Sequence, residues 1–148
     1  FIHVLASMRR NPFSLYITNE GPGGARVNAF GAPENSLVLG NATICAAQEL
    51  GLSYAALARV IGLSESTISR VAAGSRGINP KSKEGQLALL LVRLYRSLDP
   101  LVGSDSQKRL AWLRSPNKAL NGTPIALIES PSGLVTTLAY LDGVRAAA

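Results

Sequence analysis

The stretch LARVIGLSESTISRVAAG, residues 57–74, decides the fold. Leu57, Ile61, Leu63, Ile68 and Val71 recur at spacings that place them on the inner faces of two short helices, and Ser64 between them is a natural N-cap for the second. For two such helices to cross closely, the first needs a small residue and the turn needs one that tolerates positive φ. Ala58 and Gly62 meet those needs at a four-residue spacing. Gly74 then marks the end of the second helix. The pattern is that of a helix-turn-helix.

In such a pair the second helix enters the major groove with its N-terminal side chains outward, which here are Glu65, Ser66, Thr67, Ser69 and Arg70. Arg70 suits a guanine edge, Glu65 can accept from cytosine, and the hydroxyls reach bases or phosphates. Affinity depends more on phosphate neutralisation. Arg70, Arg76, Lys81 and Lys83 follow one another with no Asp or Glu between Ser66 and Ser82, which suits a DNA backbone. One copy offers few contacts, so a homodimer covering two half-sites of operator DNA is expected.

Composition agrees with helices. Of 148 residues 47% are apolar and only 5% aromatic, so Leu, Ala, Ile and Val supply most of the core, which predicts an all-α chain. The formal charge of +6 favours an acidic or polyanionic partner. One cysteine, Cys45, and one histidine, His3, exclude a disulfide framework and a Cys/His metal cluster. The longest apolar run, Leu87 to Val92, is far too short to span a membrane, and a cytoplasmic protein with no membrane partner is expected. With no histidine beyond position 3 to activate the many serines, no catalytic constellation is visible. We therefore expect neither an enzyme nor a cofactor.

Working outward, residues 1–40 are rich in glycine and proline and read as an irregular extension, with a short strand possible in FSLYITN and Met8 a possible natural start. Asn41 is positioned to cap ATICAAQELG, and Ser53 to cap YAALARVIG. After the polar loop SRGINPKSKEG, QLALLLVRLYRSLD carries a stripe of Leu87, Leu91, Leu94 and Leu98 widened by Ala88, Val92 and Tyr95, a central helix that Pro100 should end. Residues 41–100 thus form the helix-turn-helix domain and 101–148 a second unit. In the latter, Ser104 with Gln107, Thr123-Pro124 and Ser130-Pro131 announce three short helices.

WLRSPNKALNGTP, residues 112–124, and the helix after it are similar to the MbcA/ParS/Xre antitoxin family. The resemblance is carried by Trp112, Leu113, Pro116, Asn117, Leu120, Gly122, Pro124, Leu127, Gly133, Leu138 and Leu141, and extends over about Asn41 to Val144. It implies a helix-turn-helix (Xre/Cro-like) domain fused through a long apolar helix to a small C-terminal helical toxin-binding domain. It also implies an antitoxin that occludes a RES-domain toxin, an NAD-destroying enzyme, and that represses the shared operon. By position, Tyr140, Asp142, Val144, Arg145 and Ala148 at the end of the last helix are the expected toxin contacts. Two other readings stay open: a free-standing transcription regulator whose C-terminal domain only dimerises, and a toxin-binding module whose helix-turn-helix no longer reads DNA.

Overall fold

The computed structural model describes residues 31–148, and side chains from residue 34 onward. The possible strand in FSLYITN and the start at Met8 lie outside the described residues. Seven helices follow in order: α1 (Gly31–Glu49), α2 (Tyr54–Ile61), α3 (Glu65–Ala72), α4 (Lys83–Val102), α5 (Ser106–Arg114), α6 (Pro124–Leu127) and α7 (Pro131–Ala147). No strand occurs among the described residues, which are all-α as expected. No described helix is long and apolar enough to cross a membrane.

The helix pair is closed by local chemistry. Ser53 Oγ accepts from the Ala56 amide and Ser64 Oγ from the Thr67 amide, which satisfies orphan N–H groups at both helix starts. Between them Gly62 adopts φ 77°, and this left-handed turn lets the amides of Gly62 and Leu63 both return to the Ala58 carbonyl. Leu57, Ile61 and Ile68 are completely buried and Val71 nearly so.

Around the pair, α4 is the common spine. Leu91, Leu94 and Leu98 are fully enclosed, each worth roughly 1.5–3 kcal/mol of burial, and α4 packs against α1 and α2 on one side and most extensively against α7 on the other. The C-terminal segment therefore covers the far side of the leucine stripe. A single apolar cluster runs from Leu39 through the helix pair to Leu141, so both halves of the chain share one core.

Four boundaries differ from the sequence reading. The first helix begins at Gly31, and Asn41 is an exposed residue in its interior rather than its cap. Gly40, inside the stretch read as an irregular extension, lies where α1 presses on α3: a Cβ there would stand 3.0 Å from Val71 Cγ1. Leu39 is buried beside it, so the packed body reaches upstream of residue 41. At α4 the start is Lys83, three residues earlier than read, because Ser82 Oγ accepts from the Gly85 amide. Pro100 does not end α4. It falls in the last turn, where its missing N–H forfeits one bond, and the helix closes at Gly103, whose amide donates to the Asp99 carbonyl at 2.8 Å. In α5 the cap is Asp105 and not Ser104, since a carboxylate at a helix N-terminus also gains from the dipole, and its Oδ1 accepts from the amides of Gln107 and Lys108.

The Ser130-Pro131 start is as read, with Ser130 Oγ accepting from the Gly133 amide. Thr123 precedes α6 without a side-chain cap bond, leaving Pro124 to preset the first turn. Gly133 brings α7 against the end of α6 so closely that a Cβ would lie 2.0 Å from the Leu127 carbonyl oxygen.

Candidate functional site

Two surfaces carry chemistry. The first is α3 and the loop behind it. Glu65, Ser66, Ser69 and Arg70 are exposed, as the outward face requires. Thr67 is not. It is 6% exposed and belongs to the cap: Ser64 Oγ donates to Thr67 Oγ1 at 2.8 Å, and Arg70 Nη2 donates to the same oxygen at 3.3 Å. The four-residue spacing from Thr67 to Val71 places Thr67 on the same side as Ile68 and Val71, a consequence of 3.6-residue periodicity that the hydroxyl-rich spelling concealed. The Arg70 bond ties that side chain back to α3.

Beyond α3 the chain turns at Gly74, and Ser75 binds the Arg70 carbonyl through both its amide and its hydroxyl at 3.1 Å. Ile78 then plugs the loop into the core, its amide donating to the Ser36 carbonyl at 2.9 Å. This anchor fixes the path on which Arg76 and Lys81 stand exposed, with Lys83 exposed in the first turn of α4. A small cleft lined by Leu63, Arg76, Asn79 and Glu84 shows that Glu84 stands near this basic run, an acidic neighbour that follows it in sequence.

The second surface is the outer end of α7. Tyr140 is half-buried, with its ring stacked on Trp112 at 6.4 Å between centroids and 18° between planes. Asp142 is held by Arg93 of α4 at 2.5 Å, and Arg145 stands 3.9 Å from its other oxygen. Val144 is half-buried, while Arg145 and Ala148 are exposed. The five expected toxin contacts do not form one face, since helix geometry turns Asp142 about 200° from Tyr140. Arg145, Val144 and Ala148 gather at the α4 seam, and Tyr140 belongs to the Trp112 stack.

Sequence reasoning did not find three charged links. Arg109, 2% exposed on α5, donates to Glu49 of α1 at 2.6 Å and to Asp99 of α4 at 3.4 Å, with its guanidinium 5.0 Å from the Tyr95 ring centre. Its Nε is buried without a partner. Arg59 of α2 binds Glu129, between α6 and α7, through two hydrogen bonds of 2.9 and 3.2 Å. That bond from Arg59 holds the Glu129 carboxyl below its ordinary range. The third is Arg93 with Asp142. Only the i, i+4 spacing of Arg109 to buried Leu113 signalled that one of these arginines faces inward. Burial, with Glu49 nearby, pushes the Cys45 thiol up, away from the thiolate that a nucleophile needs.

Comparison with protein families places the same two surfaces in separate modules. Residues 35–93 match the antitoxin Xre-like helix-turn-helix domain, and residues 97–146 match the antitoxin Xre/MbcA/ParS C-terminal toxin-binding domain. No curated protein sequence gives a significant match. The two family matches adjoin within α4, join the helix pair to the Trp112–Leu141 signature in the expected order, and together run from residue 35 to residue 146. The chain belongs to the Xre/MbcA/ParS antitoxin family.

Proposed function

We propose that this antitoxin neutralises a RES-type, NAD-degrading toxin by covering its active-site mouth with the C-terminal module, and represses its own operon as a homodimer through α3. The observation that carries the reading is that both surfaces stand on one continuous core, so a single folded chain presents a nucleic-acid face and a protein-binding face together. Glu65, Ser66, Ser69 and Arg70 supply base contacts, and Arg76, Lys81 and Lys83 neutralise phosphates. Thr67 positions Arg70. At the other end Arg145, Val144 and Ala148 contact the toxin directly, while Tyr140 and Asp142 act by bracing the last helix through Trp112 and Arg93. RES identity rests on the family resemblance, and the cytoplasm is where such a pair would act.

Co-expression with the product of the adjoining reading frame tests this, with cellular NAD and copurification followed together. The expected result is NAD collapse with the neighbour alone and NAD preserved, with a copurifying complex, when this chain is present. Removing residues 144–148 should lose the protection and keep operator binding. Arg70→Ala should do the reverse, with operator affinity falling about tenfold or more. A chain that binds its operator but neither copurifies with the neighbour nor preserves NAD would overturn the proposal.

A further inference from the structure

The exposed face of α4 was not used by the helix pair or by the core. Leu89, Arg93 and Arg96 recur at spacings of four and three residues, which aligns them along one side of the helix, away from the buried Leu91, Leu94 and Leu98. With Val92, Ser97 and, from the last turn of α7, Arg145, they line an open groove of about 520 Å³. Three guanidinium groups stand in its wall and no carboxylate does.

Two of these arginines share a single carboxylate. Asp142 is the carboxylate shared by Arg93 and Arg145, and it makes one good hydrogen bond, to Arg93; its other oxygen is buried without a hydrogen bond, 3.9 Å from Arg145. The Arg93 and Arg145 side chains remain 58% and 60% exposed. Beside them Leu89 leaves 43% of its surface in water. A smaller notch of about 150 Å³ between Pro100, Leu101, Leu141 and Val144 shares Ser97 and Arg145 with the groove. A basic groove therefore adjoins an apolar recess.

We propose that this groove receives an acidic segment of the toxin, with carboxylates against Arg93, Arg96 and Arg145 and a neighbouring apolar side chain in the Leu101–Val144 notch. The inference rests on the antitoxin reading above and deepens it by naming the chemistry of the partner's segment. It also extends the binding surface upstream of the matched toxin-binding domain, because Leu89, Val92, Arg93 and Arg96 precede residue 97. Guanidinium forks pair with carboxylates bidentately, and desolvated apolar anchors next to them set register. A DNA backbone would use the arginines but not the recess, and α3 packs on α1 and α2 whereas the groove is built by α4 and α7.

The test is the full-length double variant Arg96→Glu/Arg145→Glu, titrated into the purified product of the adjoining reading frame at low and moderate salt. About 100-fold weaker binding and a shallower salt dependence are expected, with rescue to within several-fold by Arg96→Lys/Arg145→Lys. Operator binding and the melting temperature should match the parent chain; if the glutamates impair folding, the neutral pair Arg96→Gln/Arg145→Gln should still lose affinity. Parent chain that binds the toxin, with the reversed variant binding equally well, would overturn the groove and leave the antitoxin reading standing. Failure of the parent chain to bind at all overturns both. A loss confined to operator affinity, or to self-association, would assign the groove to DNA or to a second copy and sink the proposal.

Discussion

In the helix pair, the caps and the turn are set by contacts within a few residues: Ser53 to Ala56, Ser64 to Thr67, Gly62 back to Ala58. In the C-terminal half the corresponding contacts span the chain. Arg109 reaches Glu49 across 60 residues, Glu129 reaches Arg59 across 70, and Asp142 reaches Arg93 across 49. The two glycines at the heart of each region show the same contrast. Gly62 is required for its positive φ and has nothing within 4 Å of a Cβ, whereas Gly133 has no such φ and lacks only the room. The turn of the helix pair is shaped by local backbone chemistry, and the start of the last helix by close approach of another element.

The contrast predicts that the spine common to both regions is the most sensitive place. Leu94→Ala removes a fully buried side chain from α4 and should cost about 4 kcal/mol, toward the upper part of the range for such truncations. Denaturant unfolding checks it. Because the core is continuous, helix-pair and C-terminal probes should still report one coincident transition. Two separated transitions would break the picture of a shared spine.

The glycine pair sharpens the comparison at the next level. Gly133→Ala drives a methyl to 2.0 Å from a backbone carbonyl, which must move, at a cost of about 2–3 kcal/mol. Gly62→Ala meets open space and incurs only left-handed strain, about 1 kcal/mol. Measured in the same denaturant series, the order should be Gly133 above Gly62. Equal costs would mean that the α6–α7 contact yields easily and that the C-terminal module is not fixed by close packing.

The same distinction explains what the sequence allowed to be read. Caps such as Ser53, Ser64 and Ser130, the Gly62 turn and the leucine spine are statements about neighbours in the chain, and they were legible together with the WLRSPNKALNGTP signature. The glycine content of residues 1–40 misled in part because a glycine that serves a tertiary contact, as Gly40 does with Val71, is spelled the same as one that opens a loop. Pro100 misled because its cost depends on how many turns follow it, and here almost none do. Thr67 was assigned to the outer face by chemistry when periodicity already turned it inward. The arginines of the α4–α7 groove carried no local mark, because only the docking of α7 makes them neighbours of Arg145.

The smallest effect comes from the Arg59–Glu129 pair, the exposed strap between the two regions. Both side chains are well solvated, at 57% and 36% exposure, so solvent screening leaves this link weaker than any packing contact. The hydrogen bond from Arg59 lowers the folded-state pKa of Glu129, so the unfolded state holds its proton more readily. The pair's contribution is therefore complete above the ordinary carboxylate range, declines as pH falls through it, and vanishes once pH passes below the depressed folded value. The stability difference between the parent chain and Glu129→Gln should accordingly favour the parent at neutral pH and close on acidification, tracked by denaturant midpoints across the acid range. A difference that persists unchanged in acid would mean that the glutamine loses packing and not charge, and the two regions would then be joined by their common core alone.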